Sequence, residues 1–257
     1  LVALGSETVM ADLNVSSPAR PRIEVQDDGF ILLGQDASSG GSVAAFAQRF
    51  NNDLTQAGAI INVVEQLSSD QTNPEFDFFA DGGYIVTWQS DNNLDSFGTG
   101  IYAQVFNADD SPSTGAILVN TTTFSTQSNP DVSVLSDGTF VITWNGFTVQ
   151  SGTNVSGIVY QQFSQNGTPL GLETLATSAL NTNSNQSDPH IEPLDNGGFI
   201  LTWTSSSFAD DGETVRGIVQ RVFAAQDNTT VDQAPEIIGF TNQVSFEENI
   251  VNAAPQI

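Results

Sequence analysis

The chain carries 30 aspartates and glutamates against five arginines, with no lysine and a single histidine. Its candidate chemistry is therefore carboxylate chemistry. Such groups ligate a hard cation, Ca2+ most simply, or share acid and base work on a glycosidic bond. Three of them recur at one place in a repeated pattern: Glu24, Asp77 and Glu192 each follow an apolar residue, Ile23, Phe76 and Ile191. Ser133, after Val132, holds the fourth such place. Turned toward a common axis, these residues form a carboxylate ring with one hydroxyl, and carboxylates so crowded need a counter-charge. Ca2+ bound by Glu24, Asp77 and Glu192 is one solution. Pairing with Arg22, His190 or water is the other. Asp91, Asp95, Asp210 and Asp211 lie in loops and are further candidate metal ligands.

Other chemistries find less support. His190 is the lone histidine, so a zinc site would need thiolate or carboxylate help, and no nucleophile-elbow motif points to it. The arginines are scattered, which leaves no obvious anion-binding cluster. A net charge of -25 repels nucleic acid and anionic membranes. There is no cysteine, which excludes thiol chemistry, and no apolar run approaches the ~18 residues of a membrane span. The start, Leu1 to Gly5, is too short for a signal peptide, and the chain reads as a piece of a longer one.

The elements that must position these residues are written four times. Copies begin at Pro21, Pro74, Pro130 and Pro189, at steps of 53, 56 and 59 residues, a length that fits one four-stranded propeller blade. Each opens with a short alternating strand, then Asp28-Gly29, Asp81-Gly82, Asp137-Gly138 or Asn196-Gly197, which are strong hairpin signals. A second strand follows: Tyr84 to Trp88, Phe140 to Trp144 and Phe199 to Trp203, with Gly34 in the tryptophan's place in the first copy. It is apolar on both faces and must be covered on both. The third strand ends on Phe50, Phe106, Phe163 and Phe223 and carries Gln48, Gln104, Gln161 or Arg221 within it. Those amides are expected to bond neighbouring backbone.

A weaker fourth strand recurs in three copies and is missing from the last, whereas residues 1–20 carry such a strand ahead of the first copy. The expected fold is all-β: a four-bladed β-propeller of four-stranded antiparallel blades over residues 1–233. The N-terminal strand completes the last blade and closes the ring, which removes open sheet edges. Residues 234–257 read as a linker and the first strand of a following β module.

The run Asp81-Gly-Gly-Tyr-Ile-Val-Thr-Trp-Gln-Ser90, with Gly98 to Phe106 after it, resembles the repeats of large secreted bacterial proteins, RTX-type adhesins and other type I secretion substrates. The tail from Ala234 to Asn249 is similar to the start of a cadherin-like or immunoglobulin-like module. The resemblance implies a secreted or cell-surface bacterial module in a calcium-rich setting, structural or adhesive and not an enzyme. Its partners would be a cell-surface or matrix glycan or protein, without nucleic acid or membrane insertion, and its oligomeric state stays open. Two alternatives accompany that reading. One is a carbohydrate-binding lectin domain, since the loops between repeats are dense in amides and hydroxyls. Gln127, Asn129 and Asn185 would serve as polar ligand-binding residues and Phe97 and Phe208 as stacking faces. The other is a glycan-active enzyme working through a carboxylate pair.

Overall fold

The computed structural model describes residues 18–37, 42–63, 69–91, 98–150, 152–177, 185–206 and 217–225. Residues 1–17 and the tail from 226, and with them the expected closing strand and following module, lie outside that set.

The described residues form four antiparallel sheets, each a meander in chain order. Blade I holds β1 (Pro18–Gln26), β2 (Gly29–Ala37), β3 (Val43–Asn51) and β4 (Gln56–Asn62); blade II holds β5 (Gln71–Phe78), β6 (Tyr84–Ser90), β7 (Gly100–Phe106) and β8 (Ile117–Leu118). Blade III holds β9 (Ser128–Val134), β10 (Phe140–Gln150), β11 (Thr153–Phe163) and β12 (Pro169–Leu175), and blade IV holds β13 (Gln186–Pro193), β14 (Phe199–Ser205) and β15 (Gly217–Phe223). The expected all-β propeller of four blades is what the sheets build, with three strands described in blade IV.

The turns are made as the residue types require. Asp81, Asp137 and Asn196 each accept, through Oδ1, the backbone N–H two residues on, and the intervening Gly82, Gly138 and Gly197 sit at φ of 85°, 83° and 82°. That conformation is open to glycine at little steric cost. These aspartates are turn residues.

Apolar faces join blade to blade. Ile31, Leu33, Ala45 and Ala47 of blade I pack on Phe76, Val86 and Trp88 of blade II. Ile85, Ile101 and Val105 of blade II pack on Val132, Ile142 and Trp144 of blade III, and Val141, Ile158 and Tyr160 of blade III on Ile191, Leu201 and Trp203 of blade IV. Within each blade the first ring of the second strand stacks on the last ring of the third. The pairs are Phe30–Phe50, Tyr84–Phe106, Phe140–Phe163 and Phe199–Phe223, at centroid distances of 5.1, 4.9, 5.2 and 4.6 Å. The repeated third-strand amides go to backbone, as expected. Gln48 Nε2 reaches the carbonyls of Ala57 and Gly58, Gln104 that of Thr114, and Gln161 that of Gly171.

All three tryptophans are buried, and two of them meet a hydrogen-bond acceptor, whereas the Trp88 indole nitrogen and the Gln71 amide oxygen find no partner among the described residues. The indole of Trp144 donates to Gln127 Oε1 at 3.2 Å and that of Trp203 to Gln186 Oε1 at 2.5 Å. Gln71, Gln127 and Gln186 each stand three residues before a repeat proline, and blade I, which has Gly34 in place of tryptophan, has Pro18 there. Truncating Trp144 to alanine removes a fully buried indole and strands part of Gln127. Trp144→Ala is expected to cost ~3–5 kcal/mol in denaturant unfolding; a loss below ~1 kcal/mol would contradict this packing.

Candidate functional site

The first strand of each blade lines the axis. The ladder in each begins two or three residues before the repeat proline, at Pro18, Gln71, Ser128 and Gln186. The pairing with the second strand shifts in every blade between that start and the residue after the proline. The residue just before the proline has a positive φ: Arg20 at 52°, Asn73 at 55°, Asn129 at 52° and Asp188 at 52°. Asn and Asp visit this region more readily than other L-residues, and a bulge re-aims the side chains that follow it. The sequence reading started these strands at the prolines and so missed the bulges.

The bulges tie the blades together at one end of the axis. Asn73 Nδ2 donates to Asn129 Oδ1 at 2.8 Å, and Asn129 Nδ2 to Asp188 Oδ1 at 3.3 Å. Gln35 of blade I accepts the N–H of Asn73 at 3.0 Å, and Gln89 of blade II accepts that of Asn129 at 2.9 Å. Asn129 therefore stands in the rim of the axial mouth. Asn185, just before β13, is exposed, with its backbone paired to Ser206.

Below this rim lies a row of alternating pairs. Arg22 holds Glu75 through two guanidinium nitrogens, and His190 Nδ1 lies 2.6 Å from Asp131 Oδ2. Asp131 also accepts the backbone N–H of Ile191 at 2.9 Å, which couples blades III and IV. The other imidazole nitrogen lies 3.1 Å from Glu192 Oε1, so Asp131, His190 and Glu192 form a continuous chain. The hydrogen bond to Asp131, helped by Glu192, pushes His190 up to about 9, so its ring is charged at neutral pH. Burial of Glu75 works against its charge and Arg22 works for it.

The next row is Glu24, Asp77, Ser133 and Glu192, the ring expected from the repeat. Asp77 Oδ2 accepts the N–H of Val134 at 2.7 Å and the hydroxyl of Ser133 at 3.3 Å, while Oδ1 accepts the N–H of Phe78. Burial raises its pKa despite those bonds. Glu24 is raised by burial first, then by the charges of Asp77 and Glu192. Glu24 of blade I thus lies within range of the charges of Asp77 and of Glu192 of blade IV. Of the expected partners for these carboxylates, His190 lies against Glu192 at 3.1 Å. Among the described residues no group of three or more acidic or histidine side chains is arranged to hold a metal ion.

The remaining sequence candidates scatter. Asp91 is exposed at the end of β6, away from the axial rows. Asp95, Asp210, Asp211, Phe97 and Phe208 lie outside the described residues. Gln127 is fully buried, its amide oxygen taken by Trp144 and the N–H of Phe147, its amide nitrogen by the carbonyls of Thr122 and Phe124. The sequence reading offered Arg22 and His190 as partners for the ring's carboxylates; Arg22 instead holds Glu75 and His190 also holds Asp131, both one period of two above the ring on the same strand face.

No protein-family model and no curated protein matches the sequence. Solved structures match the fold. A thermostable family-43 glycoside hydrolase aligns at a TM-score of 0.50 with 11% identity, over 86% of this chain and 75% of that one. An endo-arabinase from Bacteroides thetaiotaomicron aligns at 0.47 with 13% identity, over 80% and 75%. A xylan beta-1,4-xylosidase from Bacillus halodurans aligns at 0.46 with 13% identity, over 86% and 43%. The first of these places the chain in a propeller fold carried by glycoside hydrolases.

That finding overturns three expectations: the resemblance to RTX-type adhesin repeats, the structural or adhesive role drawn from it, and the exclusion of an enzyme. The physical reason lies in the residues that carried the resemblance. The Asp-Gly turns close hairpins, the Thr-Trp strands fill blade interfaces, and the Gln and Phe of the third strand serve backbone pairing and ring stacking. They report blade geometry and not adhesion.

The imidazolium of His190 sets a pH signature. Its pKa rises on folding from 6.5 to about 9, so its stabilisation is complete below pH 6.5 and is lost as pH rises through about 9. The melting temperature of the parent is expected to fall across that interval, and less so in His190→Gln. Identical slopes in the two proteins would contradict the pairing.

Proposed function

We propose that this chain is a glycan-active enzyme, a hydrolytic propeller whose reacting groups are the axial carboxylates. The single observation that carries the reading is that Glu24 and Glu192 stand in one row of the first strands, both exposed, with Glu24 in range of the charge of Glu192. One carboxyl is pushed up by burial and its acidic neighbours, and the other is held by the charged imidazole of His190. Two carboxylic groups in unlike surroundings are what glycosidic cleavage uses. Glu24 donates its proton to the leaving oxygen as the bond to the anomeric carbon breaks. Glu192 takes a proton from the water whose oxygen adds to that carbon, or adds to it directly before water displaces it. The anomer released tells the two routes apart. Burial, then Asp77, raises the pKa of Glu24, and Asp131 orients His190 against Glu192; Asp77 and Asp131 are positioning residues. Neither step needs a group that these residues do not supply.

The fold likeness to a family-43 glycoside hydrolase supports this reading, as does the exposure of Glu24 and Glu192 to solvent. The test is turnover of a polysaccharide panel that includes an arabinan and a xylan. Glu24→Gln is expected to lower kcat by roughly 10²–10⁴, the usual worth of a positioned general acid. Turnover unchanged in Glu24→Gln would remove it from that role. Binding of a glycan by the parent with no turnover of any polymer would leave a lectin in place of an enzyme.

We further infer that residues 1–17 supply the fourth strand of blade IV and complete the ring around this site. Two apolar exposures support the inference. Ile218 on β15 is 84% exposed, and Ile23 and Val25 on β1 are 50% and 77% exposed, whereas Val132 and Ile191, in the place of Ile23, are buried. Deleting residues 1–13 should bring aggregation or a large loss of stability. A deletion variant that melts like the parent would contradict closure.

A further inference from the structure

Phe124 is 52% exposed, yet the loop that carries it is held by side chains at both ends. Glu173 on β12 accepts the backbone N–H groups of Thr121 and Thr122 and the hydroxyl of Thr122, which fixes the start of the loop. The buried Gln127 fixes its end, with Nε2 donating to the carbonyls of Thr122 at 3.2 Å and Phe124 at 3.1 Å. The same amide accepts the N–H of Phe147 at 3.0 Å, so one side chain clasps the backbones of two phenylalanines. A Cβ at Gly146 would lie 1.7 Å from Gln127 Oε1, and glycine there leaves room for the clasp. Ser125, next to Phe124, is at φ 65°.

The two rings meet edge to face, with centroids 5.6 Å apart and planes at 88°. Phe147 lies on the part of β10 that runs past the start of β9: Ser128 pairs with Asn145, and β10 continues to Gln150. The rings therefore stand at the end of blade III where Asn129 enters the axial rim. Burial does not explain this use of hydrogen bonds, because the ring they hold faces water. Fixing an aromatic in advance of contact lowers the ordering cost of a ligand that stacks on it. The surrounding Thr121, Thr123, Ser125 and Thr126 carry further hydroxyls. The net charge of -25, with Glu173 bound to the loop and Asp188 bonded to Asn129 at the rim, disfavours an acidic ligand.

We propose that Phe124, backed by Phe147, is a sugar-stacking platform beside the axial mouth, selective for a neutral glycan chain. The ligand class rests on the glycan reading given above; the platform itself rests on the clasp and the exposed ring. The test is affinity electrophoresis in gels containing neutral arabinan, neutral arabinoxylan or polygalacturonate, in the Glu24→Gln background so that turnover does not intervene. Retardation is expected in a neutral polymer and not in polygalacturonate. Adding Phe124→Ala should weaken it about tenfold, the worth of one good aromatic contact, and Phe124→Trp should retain it. The melting temperature reports whether each variant is folded. Retardation that survives Phe124→Ala overturns the platform, and so does the absence of retardation in every neutral polymer. Retardation lost in Phe124→Ala, in a protein whose parent cleaves none of the polymers, upholds the platform and sinks the catalytic reading.

Discussion

The structure depends on the hydrogen bonds that carboxylates on one blade's first strand accept from the next blade's first strand. Asp77 takes the N–H of Val134, and Asp131 takes that of Ile191. Four strands with a polar face in common cannot converge on an axis unless their side chains find partners there, because a buried polar group without one costs about 1–3 kcal/mol. Here the partners are one another. The bulge asparagines link at the rim, Arg22 with Glu75 and Asp131 with His190 form the row beneath, and Asp77 with Ser133 closes the next. The apolar interfaces set how far apart the blades stand, and the axial bonds set how they are turned.

On the proposed function, the same arrangement leaves some of these carboxylates free to react. Asp77 and Asp131 are spent on backbone donors, which holds them in place. Glu24 and Glu192 have no such anchor in the next strand and remain turned to solvent. Burial, then its acidic neighbours, raises the pKa of Glu24, and Glu192 leans on the one histidine in the chain. The division between holding and reacting groups follows from which first-strand acids meet a backbone N–H.

Much of the architecture was legible in the sequence. The period, the Asp-Gly turns and the apolar second strands required blades, and the alternation of Ile23, Phe76, Val132 and Ile191 with acids located the axial ring. The bulges were not legible, because the prolines mark the point where register shifts but pairing alone reveals the extra residue. The Gln127 clasp was misplaced for a related reason. A glutamine in a polar loop reads as a ligand-binding residue, and only its burial against Trp144 shows otherwise. The signal was present, since glutamine three residues before the proline and tryptophan on the second strand occur together in three blades and are both missing from the first. Function was misread because repeat signatures describe packing, and packing is shared by adhesive and catalytic propellers alike.

The central claim is that the axis is where glycan chemistry occurs. A structure of Glu24→Gln with a bound oligosaccharide tests it most directly. The account predicts a glycosidic oxygen within hydrogen-bond reach of residue 24, about 2.6–3.2 Å, with Glu192 on the other side of the scissile bond and His190 still bonded to it. An oligosaccharide seated away from the axis, with Glu24 and Glu192 unchanged, would contradict it.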